Sequence, residues 1–429
     1  MRVTEALGAR SIAALVMVGL LATLVGHARP EEAAVRVGLA WGKAQLRLGA
    51  DGPFKISEQG GQHRVRESSS AQVVAIELLR GGPDARVAVV SDSGEREEME
   101  PPLGIAPRAP TLLKYLDSNR KDAVAYRGEF EILAGSAGMT LVNVIGIQDY
   151  LRGVVPCEMS RNYPAEALKA QAVTARSYAL ASGARHQAQG FDLCNAEHCQ
   201  VYGGTSSENP ATDSAVEQTR GEVLTCNGRI MAAPYSAVCG GITEASPGRD
   251  SCLRSQKDFD PADDIKMRLP ADEAGWRDYF RQAPAVNCCQ PKLCPLDRFR
   301  WVDVRRRDEL EQSLADVVNV GTLLSLRPLE RGPSGRITRL EVLGTRGKSV
   351  LSPESVIRRA LGGLRSSAFV VDAYAEGDAP PVVFVFWGAG TGHGAGMCQV
   401  GAAGQAAKGK NYREILRWYF PDCALERRY

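Results

Sequence analysis

Short apolar or alternating runs fill the first third of the chain, which predicts a strand-rich region. Gly, Pro and Asp separate these runs, as is typical of consecutive strands. Strands are predicted within residues 35–41, 44–48, 71–79 and 87–90, and a hairpin is predicted from 129–133 and 139–145.

A clear helical pattern covers Pro164–Ala181, where apolar and small residues recur at helical spacing. Asn162 is expected to cap this helix, and Pro164 suits its first turn. Glu166 places negative charge near the positive end of the helix dipole. The many Ala residues predict close packing against a neighbouring element.

The remainder of the chain mixes separate helices and strands, which predicts an α+β fold rather than a doubly wound sheet. An irregular segment rich in Asp, Pro and Cys interrupts it at 246–297. Helices are predicted at 213–220, 307–317 and 353–361, with a small-residue helix ending near Gly409. Strands are predicted at 222–225, 299–304, 323–329, 337–343 and 382–387.

The N-terminus has the pattern of a targeting segment. Arg2 and Arg10 precede or flank an uninterrupted apolar run at 11–25, and small residues follow it at 26–28. The run is shorter than the roughly 20 residues of a membrane span. We therefore expect residues 1–28 to be a signal peptide, with an uncleaved N-terminal anchor as the alternative. The mature chain would act outside the cytoplasmic membrane.

Composition narrows the possible functions. The 429 residues allow two domains or one large one, and a formal net charge of +2 without a long basic run gives no indication of a nucleic-acid partner. The 11 Cys fit an oxidising compartment, and their odd number leaves at least one without an internal disulfide partner. Cys288, Cys289 and Cys294 are expected to staple a surface insertion by disulfides.

Glu158 is a lone carboxylate in apolar surroundings. A predicted strand end runs into Pro156, and Glu158 follows between Cys157 and Met159. Burial disfavours the anion and should raise the pKa of this carboxyl group, which suits a general acid for a glycosidic oxygen. The residues alone also allow a Glu that caps the turn before the next helix.

The motifs around Glu158 resemble the stage II sporulation protein D family (the SpoIID/LytB domain). The family has a catalytic Glu in the setting Val-Val-Pro-x-Glu-Met, here at 154–159, and its signature helix resembles 166–178. Further motifs follow in the family's order at 199–204, 211–216, 235–241 and 392–399. The resemblance extends from about residue 35 to the end. It implies a strand-rich region at 29–125 and a catalytic region at 126–429 with a groove between two lobes and a Cys-rich insertion at about 266–297.

The resemblance implies a lytic transglycosylase acting on peptidoglycan glycan strands without stem peptides. Glu158 would protonate the oxygen between N-acetylmuramic acid and N-acetylglucosamine and then deprotonate the muramic acid C6 hydroxyl, which closes a 1,6-anhydro ring. This reaction uses no water and no second carboxylate, in contrast to most glycosidases. Glu244 and Asp192 remain candidates for a second carboxylate.

The amidase-enhancer branch of the family implies an alternative. In that case the chain would be a non-catalytic glycan-binding partner of an N-acetylmuramoyl-L-alanine amidase. A zinc-dependent peptidase or amidase is a third possibility, which needs an open metal site with an activated water.

The resemblance also implies a set of substrate-binding residues. Arg176 could orient substrate or anchor its helix, and core packing is the alternative for Tyr178 and Tyr202. The expected set is Gln171, Arg176, Tyr178, Tyr202, Tyr235, Ser236, His393 and Gln399.

Cys194, His198 and Cys199 form a candidate metal site, since thiolate and imidazole are zinc ligands. The resemblance supports a metal, because some family members carry one at the equivalent Cys and His. The adjacency of His198 and Cys199 strains a single tetrahedral site, and a Cys194–Cys199 disulfide is the alternative. A zinc ion here would be structural, and no cofactor is expected in catalysis.

Overall fold

The computed structural model has an α+β fold, as predicted, and no helix of the described residues is long and apolar enough to cross a membrane. The predicted signal segment 1–28 and part of the predicted Cys-rich insertion lie outside the described residues. The described residues are 32–58, 65–108, 110–117, 121–183, 185–245, 252–259, 270–282, 284, 286–290 and 292–429.

Helices and strands alternate irregularly along the chain. The helices are α1 (Ile147–Glu158), α2 (Ala165–Ala181), α3 (Pro210–Gln218), α4 (Glu273–Arg281), α5 (Leu296–Phe299), α6 (Arg307–Leu314), α7 (Glu354–Ala360), α8 (Gln399–Ala407) and α9 (Tyr412–Tyr419). The strands are β1 (Ala34–Lys43), β2 (Gln45–Ala50), β3 (Phe54–Glu58), β4 (Val65–Ser68), β5 (Gln72–Arg80), β6 (Arg86–Ser91), β7 (Arg96–Met99), β8 (Leu103–Pro107), β9 (Leu113–Tyr115), β10 (Val124–Tyr126), β11 (Glu129–Gly135), β12 (Gly138–Gly146), β13 (Leu193–Cys194), β14 (Glu222–Cys226), β15 (Arg229–Ile230), β16 (Tyr235–Ser236), β17 (Arg300–Arg306), β18 (Leu323–Arg331), β19 (Ile337–Gly344), β20 (Gly347–Leu351), β21 (Phe369–Tyr374), β22 (Val383–Ala389), β23 (Met397–Cys398) and β24 (Ala424–Arg427).

Two sheets form the strand-rich N-terminal part, in the orders β13-β1-β12-β11-β8-β3-β4 and β10-β9-β2-β5-β6-β7. The predicted hairpin is confirmed, because β11 and β12 pair antiparallel with Gly135 opposite Gly138. β1 pairs antiparallel with β12 on one side and parallel with β13 on the other. The second pairing brings Leu193 beside Val37 and so holds Cys194 against the first sheet.

Residues 147–158 form a helix where a strand end was predicted, so that prediction was wrong. The buried side chains Ile147, Tyr150, Leu151, Val154 and Val155 recur at the spacing of a helix face, and this period outweighs the β-branched character of the pair before Pro156. The proline lies in the last turn, and Glu158 is the final residue of α1.

The predicted helix at 164–181 is confirmed as α2. Its alanines allow neighbours to approach on nearly every side, and α3, α8, α9 and β14 all pack against it. Asn162 does not cap it, because Pro164 occupies the N-cap position without a side-chain cap bond. Glu166 instead accepts a 2.8 Å bond from the backbone of Tyr412 and so fixes α9 against α2.

The strands and helices predicted after residue 299 are confirmed within a few residues. β17, β22 and β21 form one antiparallel sheet, β18, β19 and β20 form another, and α6 and α7 complete the hydrophobic core that the two sheets share. Short runs rich in apolar residues identify most of these strands from the sequence.

The expectation of a disulfide-stapled surface insertion was wrong. Cys288, Cys289 and Cys294 are free thiols, and Cys288 and Cys294 are buried in the core that also contains α8 and α9. Within the described residues the disulfide is Cys226–Cys252. Free Cys behaves as a small apolar side chain, so burial is its ordinary position in a protein.

Candidate active site and metal cluster

A cavity of about 700 Å³ lies beside the C-terminal end of α1. The lining residues come from α1, α2, the segment that follows β13, β16, the glycine-rich turn before β23 and the side chains of Arg298 and Arg358. Of the residues expected at a site, those on the wall are Glu158, Tyr178, His198, Cys199, Tyr235, Ser236, His393 and Gln399.

Glu158 is partly buried and held by groups distant in sequence. Its Oε1 accepts a 2.7 Å bond from the backbone N–H of Val201, and the Tyr235 hydroxyl also hydrogen-bonds the carboxyl group. Burial raises the pKa of Glu158, although both hydrogen bonds act in the opposite direction. The carboxyl group therefore lines a cavity instead of capping the following helix.

Gln200 connects Tyr235 to the core behind the cavity. Its side-chain amide donates to the Tyr235 hydroxyl over 2.9 Å, and its Oε1 accepts from Tyr150 over 3.2 Å. Gln200 and Tyr150 are fully buried. Their hydrogen bonds fix the Tyr235 hydroxyl beside the Glu158 carboxyl, and the sequence analysis did not single out Gln200.

Gln399 and Gln171 support the backbone of Glu158. Gln399, at the start of α8, donates from Nε2 to the carbonyl oxygen of Glu158 over 2.9 Å. The same nitrogen lies 3.4 Å from Oε1 of Gln171 on α2. Gln171 is fully buried behind the wall, so the structure gives it a positioning role instead of the expected contact with substrate.

Arg176 lies outside the cavity and anchors its helix. The side chain is fully buried, and its guanidinium donates to the Glu222 and Val216 carbonyls over 3.0 and 3.1 Å and to Oε1 of Gln148 over 2.9 Å. Of the two roles considered from the sequence, these contacts correspond to the anchor.

Tyr202 also lies in the core, which was the alternative to substrate contact that the sequence allowed. Its ring packs between Tyr126 and Tyr150, and its hydroxyl donates to Asn143 over 2.9 Å. Tyr178 differs, since its ring lies on the cavity wall and its hydroxyl accepts a 2.7 Å bond from Arg185.

His393 and Ser236 also line the cavity that contains Glu158. Nδ1 of His393 accepts from the backbone of Ala395 over 3.1 Å, and burial, with Arg336 nearby, lowers the pKa of His393 to about 4. The ring is therefore neutral at ordinary pH, with its proton on Nε2. Oγ of Ser236 is buried without a hydrogen-bond partner in the described part of the chain.

The two other candidate carboxylates are placed elsewhere. Asp192 accepts from the backbone of Arg36 over 2.9 Å, and Glu244 accepts from the Ser334 hydroxyl over 2.5 Å. Burial raises the pKa of Glu244, a shift that its sequence setting did not indicate. Neither side chain belongs to the cavity wall that the described residues form.

Four potential metal ligands meet beside the cavity, in what we call the wall cluster: His186, Cys194, His198 and Cys199. Nε2 of His186 lies 3.2 Å from Nδ1 of His198 and 3.4 Å from Sγ of Cys199. Nδ1 of His198 lies 3.5 Å from Sγ of Cys199 and 3.8 Å from Sγ of Cys194. Tetrahedral zinc separates two nitrogens by about 3.3 Å and sulfur from nitrogen by about 3.6 Å.

The wall cluster lacks the alternative disulfide and contains one donor more than the sequence analysis expected. Cys194 and Cys199 are free thiols, so the structure has no disulfide between them. His186, which the motif analysis missed, supplies a fourth donor, and its other ring nitrogen bonds the Gln189 side chain as metal-bound imidazoles usually do. The only signal in the sequence was that His186 lies near three other potential ligands in a chain with 5 His.

The fold and the cavity define an α+β protein with one partly buried carboxyl group in a polar cleft beside a potential metal cluster. Residues 135–226 match the SpoIID family, described as stage II sporulation protein. Residues 273–396 match a domain of unknown function, DUF8618, which covers much of the predicted Cys-rich insertion.

Three curated relatives illustrate the similarity. An uncharacterized protein of Brachyspira hyodysenteriae is 27% identical over 393 residues, 90% of this chain and 91% of that protein. The amidase enhancer of Bacillus subtilis is 30% identical over 64% of this chain but only 40% of its own length. Stage II sporulation protein D of Bacillus subtilis is 26% identical over 65% of this chain and 74% of its own.

The chain therefore contains a stage II sporulation protein (SpoIID) domain at residues 135–226, as the motifs around Glu158 indicated. Its role is related to the cell wall.

Proposed function

We propose that this protein is a lytic transglycosylase that cleaves peptidoglycan glycan strands, with Glu158 as the catalytic acid and then the catalytic base. The observation that carries the proposal is a carboxyl group of raised pKa on the wall of a polar cavity of about 700 Å³. Cavities of this size are typical for small ligands and short segments of larger ones. The one other carboxylate on the wall, among described residues, is the exposed Glu197.

In the proposed reaction Glu158 begins protonated and gives its proton to the glycosidic oxygen of an N-acetylmuramic acid residue. The bond from C1 to that oxygen breaks, and the departing N-acetylglucosamine keeps the proton as a hydroxyl group. The Glu158 carboxylate then removes the C6 hydroxyl proton while O6 bonds to C1. The 1,6-anhydro ring forms, and Glu158 is protonated again for the next cycle.

The surrounding groups support both protonation states of Glu158. Burial favours the acid that must donate, and the Val201 N–H and the Tyr235 hydroxyl stabilise the carboxylate that forms. The neutral His393 can donate from Nε2 to a sugar hydroxyl or acetamide oxygen in the cavity.

The wall cluster fits a structural zinc ion within this proposal. His186, Cys194, His198 and Cys199 would fill all four tetrahedral positions, which leaves none for a reactive water. The ion would supply rigidity, since Val201 follows Cys199 by two residues and carries the N–H bound to Glu158. This filled coordination argues against a zinc-dependent peptidase or amidase.

We further propose that the protein acts outside the cytoplasmic membrane and that an amidase supplies its substrate by removing stem peptides. The first statement rests on the signal-like pattern of residues 1–28. The second rests on the substrate preference that the family resemblance implies and on the relative named amidase enhancer.

The second candidate function is a glycan-binding enhancer of an amidase, and the 30% identical amidase enhancer favours it. The purified chain should be incubated with glycan strands, either denuded or peptide-bearing, and the products analysed by mass spectrometry. We expect 1,6-anhydro-muramyl ends from denuded strands. No released fragment from either substrate, together with faster product formation by an added amidase, would support the enhancer instead.

A further inference from the structure

A second group of potential ligands lies in the core packed around α8 and α9, and it shares no residue with the wall cluster. Cys239, Asp258, Cys288 and Cys398 each point one ligand atom inward, and these atoms all lie within 4.8 Å of one another. All four residues are buried, and the three cysteines are free thiols. We call them the core cluster.

The spacing of the core cluster matches tetrahedral coordination. Sγ of Cys239 lies 3.5 Å from Sγ of Cys288 and 3.4 Å from Oδ2 of Asp258. Around one zinc ion two sulfur ligands are about 3.8 Å apart, and a sulfur and a carboxylate oxygen are about 3.6 Å apart. The observed separations need only a few tenths of an ångström of adjustment.

Backbone N–H groups point at the sulfur atoms. Sγ of Cys398 accepts from the backbones of Cys239 and Gly401 over 3.2 and 3.4 Å, and Sγ of Cys239 accepts from Gly241 over 3.3 Å. Gly241 has a φ of +110°, which a residue with a side chain rarely adopts, so this turn requires glycine. Such donors stabilise thiolates, which are the form of Cys that binds metals.

The remaining surroundings orient the carboxylate and offset its charge. The Tyr419 hydroxyl donates to Oδ1 of Asp258 over 2.6 Å, which leaves Oδ2 directed at the thiols. Carboxylates that bind metals typically accept a hydrogen bond of this kind on their other oxygen. The buried guanidinium of Arg336 donates to the carbonyl oxygen of Cys239 over 3.1 Å and places a positive charge beside the cluster.

We propose that Cys239, Asp258, Cys288 and Cys398 bind one structural Zn²⁺ ion. Soft thiolates select zinc over magnesium or calcium, and four protein ligands in a buried tetrahedral set make a closed site. Binding releases the thiol protons to solvent and involves no oxidation. A Cys239–Cys288 disulfide would be the other outcome, but it would leave the carboxylate and the Cys398 sulfur buried without a shared partner.

This ion would join the two strands that carry one cavity wall. β16 and β23 pair in parallel, with Ser236 beside Cys398, and each strand adjoins a ligand of the core cluster. Cys239 is three residues after Ser236, and Cys398 precedes Gln399, which binds the backbone of Glu158. The proposal does not depend on which reaction Glu158 performs.

Metal content in variants of the full chain tests the proposal. Cys288→Ser should lose one equivalent of zinc relative to the wild type, because one ligand of the core cluster is removed. The matched control is Cys289→Ser, which changes the neighbouring half-buried thiol outside the cluster and should keep all the metal. Full zinc content in Cys288→Ser, or a Cys239–Cys288 disulfide in peptide maps of the wild type, would overturn the proposal.

A spectroscopic measurement covers the case in which Cys288→Ser fails to fold. Zinc-edge X-ray absorption of a His186→Ala, His198→Ala chain, whose wall cluster is disabled, should show three sulfur ligands and one oxygen. A zinc-free chain, or a shell of nitrogen and oxygen, would overturn the proposal. The result is independent of the wall cluster and of glycan cleavage, so either could fail without affecting it.

Discussion

The backbone N–H of Val201 donates a 2.7 Å hydrogen bond to Oε1 of Glu158 across 43 residues of sequence. Burial favours the protonated form of a carboxyl group, and a hydrogen bond from a fixed backbone N–H stabilises the carboxylate. A group with both features can exist in either protonation state. A residue that gives a proton and then takes one within a single turnover requires both properties.

Glu158→Gln should abolish glycan cleavage while leaving strand binding intact. The amide keeps the shape and can still accept from Val201, but it has no transferable proton, and general acid–base catalysis is worth roughly 100- to 10,000-fold. Anhydro-muramyl product and strand binding should be measured on the same preparation. Glu197→Gln, on the same wall, is the matched control and should keep near wild-type turnover. Activity above a few per cent in Glu158→Gln would assign the proton to another group.

The wild type and Glu158→Gln should differ in how their stability depends on pH. Burial raises the folded-state pKa of Glu158 above its ordinary value of 4.5, so its favourable contribution is complete below about pH 4.5 and is lost as the pH rises through the folded pKa. Glu158→Gln should therefore be at least as stable as the wild type at neutral pH, with the difference shrinking on acidification. Denaturant unfolding of both chains at several pH values measures this. A difference that grows toward low pH would contradict the raised pKa.

Tyr235→Phe should shift the pH–rate profile to higher pH. The Tyr235 hydroxyl lowers the pKa of Glu158, so its removal should raise that pKa further and keep the acid protonated over a wider range. Losing the acceptor of the buried Gln200 amide should also cost about 1 kcal/mol of stability. Tyr178→Phe, on the same wall but bonded to Arg185, should leave the profile in place. An unchanged pH–rate profile in Tyr235→Phe would show that this hydroxyl does not set the pKa of Glu158.

His186→Ala should remove one zinc equivalent and lower the unfolding temperature, because a metal that binds only the folded chain stabilises it. The matched control is His393→Asn, which lines the cavity but belongs to neither ligand cluster and should keep the full metal content. Chelation should likewise lower stability more than turnover in the chain that stays folded. Full zinc content in His186→Ala would exclude this residue as a ligand, and rapid inactivation with the fold intact would bring the metal into the mechanism.

Arg176→Met should destabilise the protein by about 3 kcal/mol without changing KM in the folded fraction. The variant leaves Oε1 of Gln148 and the carbonyl oxygen of Glu222 buried without the donor that Arg176 supplies, and each unpaired group carries its own desolvation cost. Arg185→Met, at an exposed position, should change stability by less than about 1 kcal/mol. Chemical denaturation measures both variants. A normal stability with a raised KM in Arg176→Met would restore the substrate-binding role.

Much of the secondary structure could be predicted because its periodicity is strong. The alanine-rich pattern of α2 and the apolar-rich runs of β18 and β19 are recognisable without tertiary information. α1 was misjudged because the pair of valines before Pro156 is typical of a strand end, and the helical spacing of its buried face was overlooked.

Site residues that lie in a sequence motif could be predicted. Site residues that only the tertiary packing brings together could not. Glu158 stands in a recognisable motif, whereas His186 joins the wall cluster only through the fold between α2 and β13. A motif also does not say which face of a helix meets the cavity. For that reason Arg176 was considered for substrate binding, although its side chain is directed toward β14 and α3.

The bond between Gln399 and the backbone of Glu158 spans 241 residues. Contacts of such long sequence separation form late in folding, because closing a large loop costs entropy before it gains any interaction. A growing chain can build the sheets around β1 and β12 and still lack the lining residues between Arg298 and Gln399 until α8 has been synthesised and docked. An incomplete polypeptide therefore contains Glu158 beside an unfinished cavity, so under the proposed function the order of assembly would keep it inactive.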